Sequence, residues 1–167
     1  MKKIFIYSSS NGQSLKICKA LNKNKESLII DMDMLNTTKL DNFDQIVIGA
    51  SVKYGDHNKK VYEFVKKNRV LLEKKKTVFF SVNATARKSE KNTPKTNPYI
   101  IKFLKKTNWT PDHIGVFAGM IDFPNYNFIE KYIIKLIMWI TNGPTDTSKT
   151  FEFTNWEDVK KFSEEIN

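Results

Sequence analysis

The chain has 167 residues, with 28 Lys and Arg against 18 Asp and Glu, a formal net charge of +10, and a single cysteine, Cys18. This length suits one domain with its own hydrophobic core, so no metal is needed for stability, and one cysteine excludes an internal disulfide. The two histidines, His57 and His113, are too far apart in sequence to suggest a metal site, and the basic charge fits nucleic acid, anionic lipid or an anionic substrate equally well.

The first predicted element is a buried strand at Ile4 to Tyr7. The chain turns polar at Ser8, so this apolar run is too short for the core of a signal peptide. Together with the single cysteine, this favours a reducing cytoplasmic setting.

Short apolar runs and helical patterns then alternate along the chain. Further strands are predicted at Leu28 to Ile30, Gln45 to Ala50, Thr77 to Val82 and Ile114 to Gly119. Helices are predicted from about Gly12, from Asn58 to Leu72, from Thr96 to Lys106 and from Asn155 to Ile166. We therefore expect an α/β fold, a doubly wound five-stranded parallel sheet forming one domain over residues 1–167. Its ligand should lie at the loops after Tyr7, Ala50 and Val82, because such sheets bind ligands beyond the carboxyl ends of their strands.

The loop from Ser8 to Ser14 follows the first strand and reads Ser-Ser-Ser-Asn-Gly-Gln-Ser. It places hydroxyls and free backbone N–H groups at a helix N-terminus, where the helix dipole favours an anion such as a phosphate. The P-loop motif Gly-Lys-Ser/Thr and the dinucleotide motif Gly-x-Gly-x-x-Gly do not occur in this loop. The alternative is an ordinary polar loop whose Ser or Asn caps the helix.

The residues around this loop resemble the flavodoxin signature. The resemblance is carried by Phe5-Ile6-Tyr7, Ser9, Gly12, Ser14, Cys18 and Leu21, with Ser14 where Thr is usual and Cys18 where Ala is usual. It implies FMN as cofactor, with its phosphate held by Ser9, Ser10, Asn11, Gly12, Gln13 and Ser14. Side chains of Ser9, Asn11 and Ser14 and the backbone amides from Ser10 to Ser14 would make the contacts.

Two further loops resemble those that hold the flavin ring. After the third strand, Tyr54 is the candidate ring to lie against the isoalloxazine, with Ser51 and Gly55 beside it, and the alternative is an exposed turn tyrosine. After the fourth strand, the expected flavin contacts are Asn83, Ala84, Thr85 and Ala86. This second loop has no aromatic residue where electron-carrying flavodoxins place a second stacking ring, so one flavin face should be open.

A basic segment continues the second loop. Arg87, Lys88, Lys91 and Lys95 stand there against the single acid Glu90. Positive charge would favour the reduced, anionic flavin and would attract an anionic substrate, for which Arg87, Lys88 and Lys95 are the candidate contacts. The alternative is a solvated loop in a chain that is rich in lysine throughout.

A long insertion is predicted in or after the fifth strand, at about residues 120–150, before a short β-like piece at Phe151 to Phe153. Within it, Phe128 to Asn142 reads as a helix, stopped by Gly143 at the C′ position and by Pro144. This helix is too short to cross a membrane. Its wide apolar face suits a bilayer surface or a hydrophobic ligand, and packing on the domain or in a homo-oligomer is the alternative.

Over nearly its whole length the chain resembles the menaquinone-dependent protoporphyrinogen IX dehydrogenases of bacterial haem biosynthesis more closely than the flavodoxins. The most specific stretches are Val47-Ile48-Gly49-Ala50-Ser51, Ser81-Val82-Asn83, Ala86-Arg87-Lys88 and Thr93-Pro94-Lys95-Thr96-Asn97. The resemblance implies FMN-dependent oxidation of protoporphyrinogen IX to protoporphyrin IX, menaquinone or ubiquinone as acceptor, peripheral contact with the cytoplasmic face of the inner membrane, and an insertion needed for activity.

Three other functions are weighed against this one. A flavodoxin-type electron carrier should have an acidic flavin rim and two stacking aromatics, and this chain shows the opposite. An NAD(P)H-dependent quinone reductase stays open, because nicotinamide sites on this fold lack a short motif. A nucleic-acid binder is not expected to carry a flavin. No residue is an obvious acid or base: His57 is the nearest candidate, and a structural histidine at the start of a helix is favoured.

Overall fold

The computed structural model describes residues 1–23 and 27–167, and its centre is a parallel β-sheet. In chain order, its strands are β1 (Lys3–Ser8), β2 (Leu28–Asp31), β3 (Gln45–Lys53), β4 (Asp56–His57), β5 (Lys76–Val82) and β6 (His113–Phe117). Five of them run parallel in the order β2-β1-β3-β5-β6, and the short β4 pairs antiparallel with β3. The predicted five-stranded doubly wound sheet is confirmed, with its topological switch point between β1 and β3.

Helices cover both faces of this sheet. In chain order they are α1 (Gln13–Leu21), α2 (Lys59–Lys67), α3 (Arg69–Leu72), α4 (Pro98–Thr107), α5 (Phe128–Ile140) and α6 (Trp156–Ile166). Successive strand side chains point to opposite faces, so in β1 Ile4 and Ile6 pack beneath α2, α3 and α4, whereas Phe5 packs beneath α1 and α6. Short 3-10 helices lie at Met32–Thr37, Leu40–Asn42, Ala84–Arg87, Ser89–Lys91 and Phe123–Asn125.

Asparagine begins four of the helices. The side-chain oxygen of each accepts a hydrogen bond from a backbone N–H in the first turn, which satisfies one of the donors that a helix N-terminus leaves free. These asparagines are Asn58 for α2, Asn97 for α4, Asn127 for α5 and Asn155 for α6. At the last helix, Asn155 Oδ1 accepts from the Glu157 N–H at 3.1 Å.

The helix predicted from Asn58 to Leu72 is interrupted at Asn68, which separates α2 from α3. The backbone N–H and the side-chain Nδ2 of Asn68 both donate to the carbonyl of Phe64, at 3.0 and 2.9 Å. Asn68 has φ −101° and ψ 14°, outside the helical range. Its amide side chain competes with the backbone for the same acceptor, which is how asparagine ends helices.

The insertion is an antiparallel hairpin with a helix at its tip. β7 (Met120–Asp122) pairs with β8 (Thr150–Glu152), and α5 lies between them in sequence. The end of α5 differs from the prediction: Asn142 (φ 55°), and not Gly143, occupies the left-handed C′ position. The Gly143 N–H donates to the Met138 carbonyl at 2.7 Å and the Asn142 N–H to the Trp139 carbonyl at 3.3 Å, the paired bonds of a Schellman motif.

Candidate functional site

A cavity of about 440 Å³ lies where β1, β3, β5 and β6 end. It opens at the edge of the sheet that the topology marks for ligands, beside the switch point. Nine of the residues singled out by sequence line it, namely Ser10, Asn11, Ser51, Tyr54, Gly55, Asn83, Ala84, Thr85 and Arg87. The structure therefore brings the ends of all three predicted loops to one cavity.

The first loop leads into α1 with features that suit a phosphate. Gly12, at the N-cap of α1, has φ +82° and contributes no side chain to cap the helix. The Ser14 hydroxyl is fully buried and has no hydrogen-bond partner within residues 1–23 and 27–167. Ser9 Oγ accepts from the Ser14 N–H at 3.3 Å, which holds the loop in a tight turn. A buried hydroxyl without a partner at a helix N-terminus is the arrangement that a bound phosphate would satisfy.

A second, smaller cavity of about 150 Å³ adjoins the same loop. Ser8, Ser9 and Ser10 line it on one side, and Ser51 and Lys53 from the end of β3 line it on the other. The Ser10 N–H donates to Ser51 Oγ at 3.1 Å, and the two hydroxyls lie 3.2 Å apart. The hydroxyl-rich loop thus has a lysine nearby in space, although the loop sequence itself contains none.

Two side chains of the predicted phosphate loop are bonded to the insertion instead. Asn11 Nδ2 donates to the Met120 carbonyl at 2.8 Å. Gln13 is fully buried, and its Nε2 donates to Glu152 at 2.9 Å and to Thr154 at 2.7 Å. The Asn11 side chain is the expected phosphate contact, and one of its two Nδ2 N–H groups is bonded to the insertion in this structure. These side chains join the phosphate loop to β7 and β8.

Tyr54 stands in a tight turn between β3 and β4. Tyr54 and Gly55 have φ values of 53° and 80°, so both central residues of this two-residue hairpin are left-handed, as a type I′ turn requires. Tyrosine is an uncommon residue at positive φ, and such positions are enriched at functional sites. The turn leaves the Tyr54 ring 58% exposed at the cavity.

A carboxylate from α5 meets this turn. Glu130 Oε1 accepts from the Tyr54 hydroxyl at 2.7 Å and from Lys53 Nζ at 2.6 Å. The hydrogen bond and charge of Lys53 hold the pKa of Glu130 below its ordinary value, so the carboxylate stays ionised near neutral pH. Glu130 lines the cavity and has no counterpart in the sequence predictions.

Asn83 shapes the second predicted flavin loop from within. It is 2% exposed, and its Oδ1 accepts from the Ala86 N–H at 3.0 Å and from Asn97 Nδ2 at 3.1 Å. Its own Nδ2 donates to Ser81 Oγ at 3.0 Å. The side chain is therefore fully used inside the protein. Ala86 is buried as well, so Ala84 and Thr85 form the cavity wall.

The buried His57 contacts this network through Ser81. It is 4% exposed, its Nε2 lies 2.9 Å from Ser81 Oγ, and its ring contacts Phe79 and Phe103 edge to face. Burial lowers the pKa of His57 to about 4, so the ring is neutral at physiological pH. His57 does not line the larger cavity, although it does line the smaller one. Its burial, its neutral ring and its contacts with Phe79 and Phe103 support its interpretation as a structural histidine.

The neutral state of His57 predicts a pH-dependent stability. Its pKa is about 4 in the folded chain against an ordinary 6.5, so the unfolded chain takes up the proton first as the pH falls. The stabilisation is present above pH 6.5 and is lost toward pH 4, by about 2 kcal/mol between pH 7 and pH 5. Urea unfolding at both pH values should show that His57→Gln, which keeps a polar group near Ser81, reduces this loss. An equal loss in the variant would contradict the assignment.

The residues of the basic segment lie in different surroundings. Arg87 is half-buried, and its guanidinium donates to the Ala84 carbonyl at 2.8 Å and to the Thr141 carbonyl and hydroxyl at 2.9 and 2.8 Å. It lines the cavity and binds the end of α5. Lys88 is half-buried and Lys95 is exposed, and neither lines the cavity.

The insertion helix closes the cavity and presents a second face outward. Ile134, Ile137 and Met138 line the cavity wall. The exposed apolar residues of α5 are Phe128, Ile129, Tyr132, Ile133, Leu136, Ile137, Trp139 and Ile140. No helix within the described ranges has both the length and the apolar character needed to cross a bilayer.

Residues 4–148 match the family described as flavodoxin domain. Protoporphyrinogen IX dehydrogenase (quinone) of Escherichia coli (strain K12) is 40% identical over 99% of this chain and 94% of its own length. The protein of the same description from Leishmania major is 34% identical over 99% of this chain and 74% of its own length. Oxidised flavodoxin 2 from Bacillus cereus superposes with a TM-score of 0.54 over 99% of this chain and 97% of its own, at 14% identity, which concerns the fold alone.

Proposed function

Because the chain belongs to the flavodoxin domain family and, within it, to the quinone-dependent protoporphyrinogen IX dehydrogenases, we propose that it oxidises protoporphyrinogen IX to protoporphyrin IX with a quinone as electron acceptor. The observation that carries this proposal is the cavity of about 440 Å³ at the carboxyl edge of the sheet, with a phosphate loop at one end and an apolar helix as its cover. The loop suits a flavin nucleotide, and the cover suits a large apolar substrate.

FMN is the proposed cofactor. Its phosphate would lie at the N-terminus of α1, where the buried Ser14 hydroxyl lacks a partner among the described residues. The N–H groups of Ser10, Gln13 and Ser14 donate to side chains of Ser51, Asn11 and Ser9, so they would exchange these acceptors for the phosphate. The rest of the loop would hold the phosphate through its geometry and its backbone amides, at Ser9, Ser10, Gly12 and Gln13. FMN would supply the two-electron redox chemistry, which three rounds would extend to the six electrons that the oxidation removes.

The walls of the cavity are the proposed site for the flavin ring and substrate. Tyr54 would offer its ring to the flavin, with Ser51 and Gly55 beside it. The turn at Ala84 and Thr85, held by Asn83 and Ala86, would form the opposite wall. Ile134, Ile137 and Met138 would exclude water and contact the macrocycle.

The propionates of the substrate would meet the basic segment. Arg87 lies at the cavity with three of its five N–H donors bonded within the protein, so two remain for a carboxylate. Lys88 follows it directly in sequence. Lys95 lies outside the cavity wall, and a role for it stays a prediction from sequence.

The outer face of α5 is the proposed contact with the membrane surface. Eight large apolar side chains are exposed on this one helix, with Lys131 and Lys135 beside them. The net charge of +10 adds attraction to anionic lipid. A helix of this kind lies in the interface, which would bring the cavity close to a quinone dissolved in the bilayer.

Anaerobic turnover tests the function. The FMN-loaded protein, mixed with protoporphyrinogen IX and a menaquinone analogue, should produce porphyrin fluorescence at a rate that depends on the quinone. A flavodoxin-type carrier would produce none. In a parallel mixture with NADPH and no porphyrinogen, rapid bleaching of the flavin would favour the quinone-reductase alternative.

A further inference from the structure

The two halves of α5 are held very differently. At the C-terminal half, Met138 is 1% exposed and packs with Ile121 and Phe123. The Thr141 carbonyl accepts a hydrogen bond from the Arg87 guanidinium. At the N-terminal half, Phe128 and Ile129 are more than 70% exposed. The C-terminal half is therefore anchored through Met138 and Thr141, whereas the first turn of the helix projects into solvent and Ile134 packs on the same cluster from a half-buried position.

Besides the packing of Ile134, a polar contact of Glu130 ties the N-terminal half to the body of the protein. Glu130 reaches across the cavity mouth to Lys53 and to the hydroxyl of Tyr54, at 2.6 and 2.7 Å. The Lys53 and Glu130 side chains are 43% and 18% exposed, so the pair is partly solvated and its net contribution is small. A contact of this strength can hold the cavity mouth closed and still break often at room temperature.

The size of the cavity favours movement of this end of the helix when both ligands bind. A pocket of about 300–1,000 Å³ holds one drug-sized ligand, and 440 Å³ is near the lower limit. The proposed reaction needs a flavin ring and a tetrapyrrole in contact. The cavity, which is partly open to solvent, is small for both of them together.

We propose that residues 128–134 form a lid that opens about the anchored end of α5, with Glu130 as its latch. The tetrapyrrole then binds against the surface that opening uncovers, between Tyr54 and the inner face at Ile134. The choice of ligand rests on the proposed function, whereas the lid and its latch rest on the contacts above. The same opening exposes the inner apolar residues of α5, so that they and the outer face of the helix form one continuous apolar surface.

Thiol labelling of Ile134→Cys measures the opening without any ligand. Ile134 is half-buried in the cavity wall, and the native Cys18 is fully buried with a pKa that burial raises, so the introduced thiol is the reactive one. Adding Glu130→Gln should raise the labelling rate about fivefold to tenfold, since it removes one ion pair and one charge-assisted hydrogen bond.

Two further variants control this experiment. Glu157→Gln removes an acidic residue from the first turn of α6 and should leave the rate unchanged. The exchange of charges, Lys53→Glu with Glu130→Lys, should return the rate most of the way to that of Ile134→Cys alone. An unchanged rate in Glu130→Gln overturns the latch, and so does an equal rise in Glu157→Gln. Absence of porphyrinogen turnover would contradict the proposed function, whereas the labelling result would still support the lid.

Discussion

Ser14→Asp is expected to lower the affinity for FMN at least about 100-fold. The Ser14 side chain is fully buried at the N-terminus of α1, so the substitution places a carboxylate against the proposed phosphate, and an uncompensated buried charge costs several kcal/mol. Without FMN the helix dipole offsets part of the cost of burying this carboxylate, and urea unfolding of the FMN-free variant measures the remainder. Flavin absorbance of the purified variant and fluorescence titration with FMN measure the effect.

Ser14→Ala is the matched control for this substitution. It removes a hydroxyl that has no partner among the described residues, so the FMN-free protein should be as stable as before or slightly more stable. Its affinity for FMN should fall by about tenfold, the share of one lost hydrogen bond. Unchanged flavin content in Ser14→Asp, with normal unfolding in urea, would refute the phosphate assignment.

The sheet could be predicted because its determinants are local. Each strand is a short apolar run bounded by polar residues, and the alternation of Ile4, Phe5 and Ile6 already assigns side chains to two faces. The phosphate loop is equally local, since strand, loop and helix follow one another within Lys3 to Leu21. Patterns of this kind can be read without knowing where the rest of the chain goes.

The contacts that close the cavity could not be predicted in the same way. Tyr54 and Glu130 are separated by 76 residues, and no periodicity joins a turn after β3 to a helix in the insertion. The type I′ turn was missed for a related reason: its usual signal is Asn-Gly or Asp-Gly, and this chain has Tyr54-Gly55. Arg87 was recognised as a cation, but its bonds to Thr141 depend on where the insertion folds.

The structure also changes the electrostatic interpretation of the site. The sequence predicts a mainly basic flavin environment with Glu90 as its single acid, whereas the cavity wall also contains Glu130 paired with Lys53, and the Arg87 guanidinium donates to carbonyl groups of the protein. The positive potential at the flavin should therefore be weaker than a count of lysines implies, since Lys88 and Lys95 do not line the cavity. Attraction of an anionic substrate then depends mainly on Arg87.

The outer face of α5 gives the second large expected effect. The double variant Ile129→Glu with Trp139→Glu should weaken binding to vesicles containing anionic lipid by at least about 100-fold, because each exposed side chain contributes roughly 1.5–3 kcal/mol when it enters an apolar phase. Co-sedimentation with the vesicles measures the partition. Both positions are 71% exposed, so neither change should disturb the core.

Val70→Glu is the control that separates the helix from general hydrophobicity. Val70 is 67% exposed on α3, and its replacement adds the same kind of charge without touching the insertion. Vesicle binding should be nearly unchanged in this variant, apart from the small loss that one negative charge causes in a protein of net charge +10. Equal losses in both variants would mean that charge alone drives the association, and unchanged binding in the α5 variant would remove the helix from the proposed membrane contact. If the α5 variant keeps full turnover with a water-soluble menaquinone analogue, then Ile129 and Trp139 contact the bilayer and are not needed at the cavity.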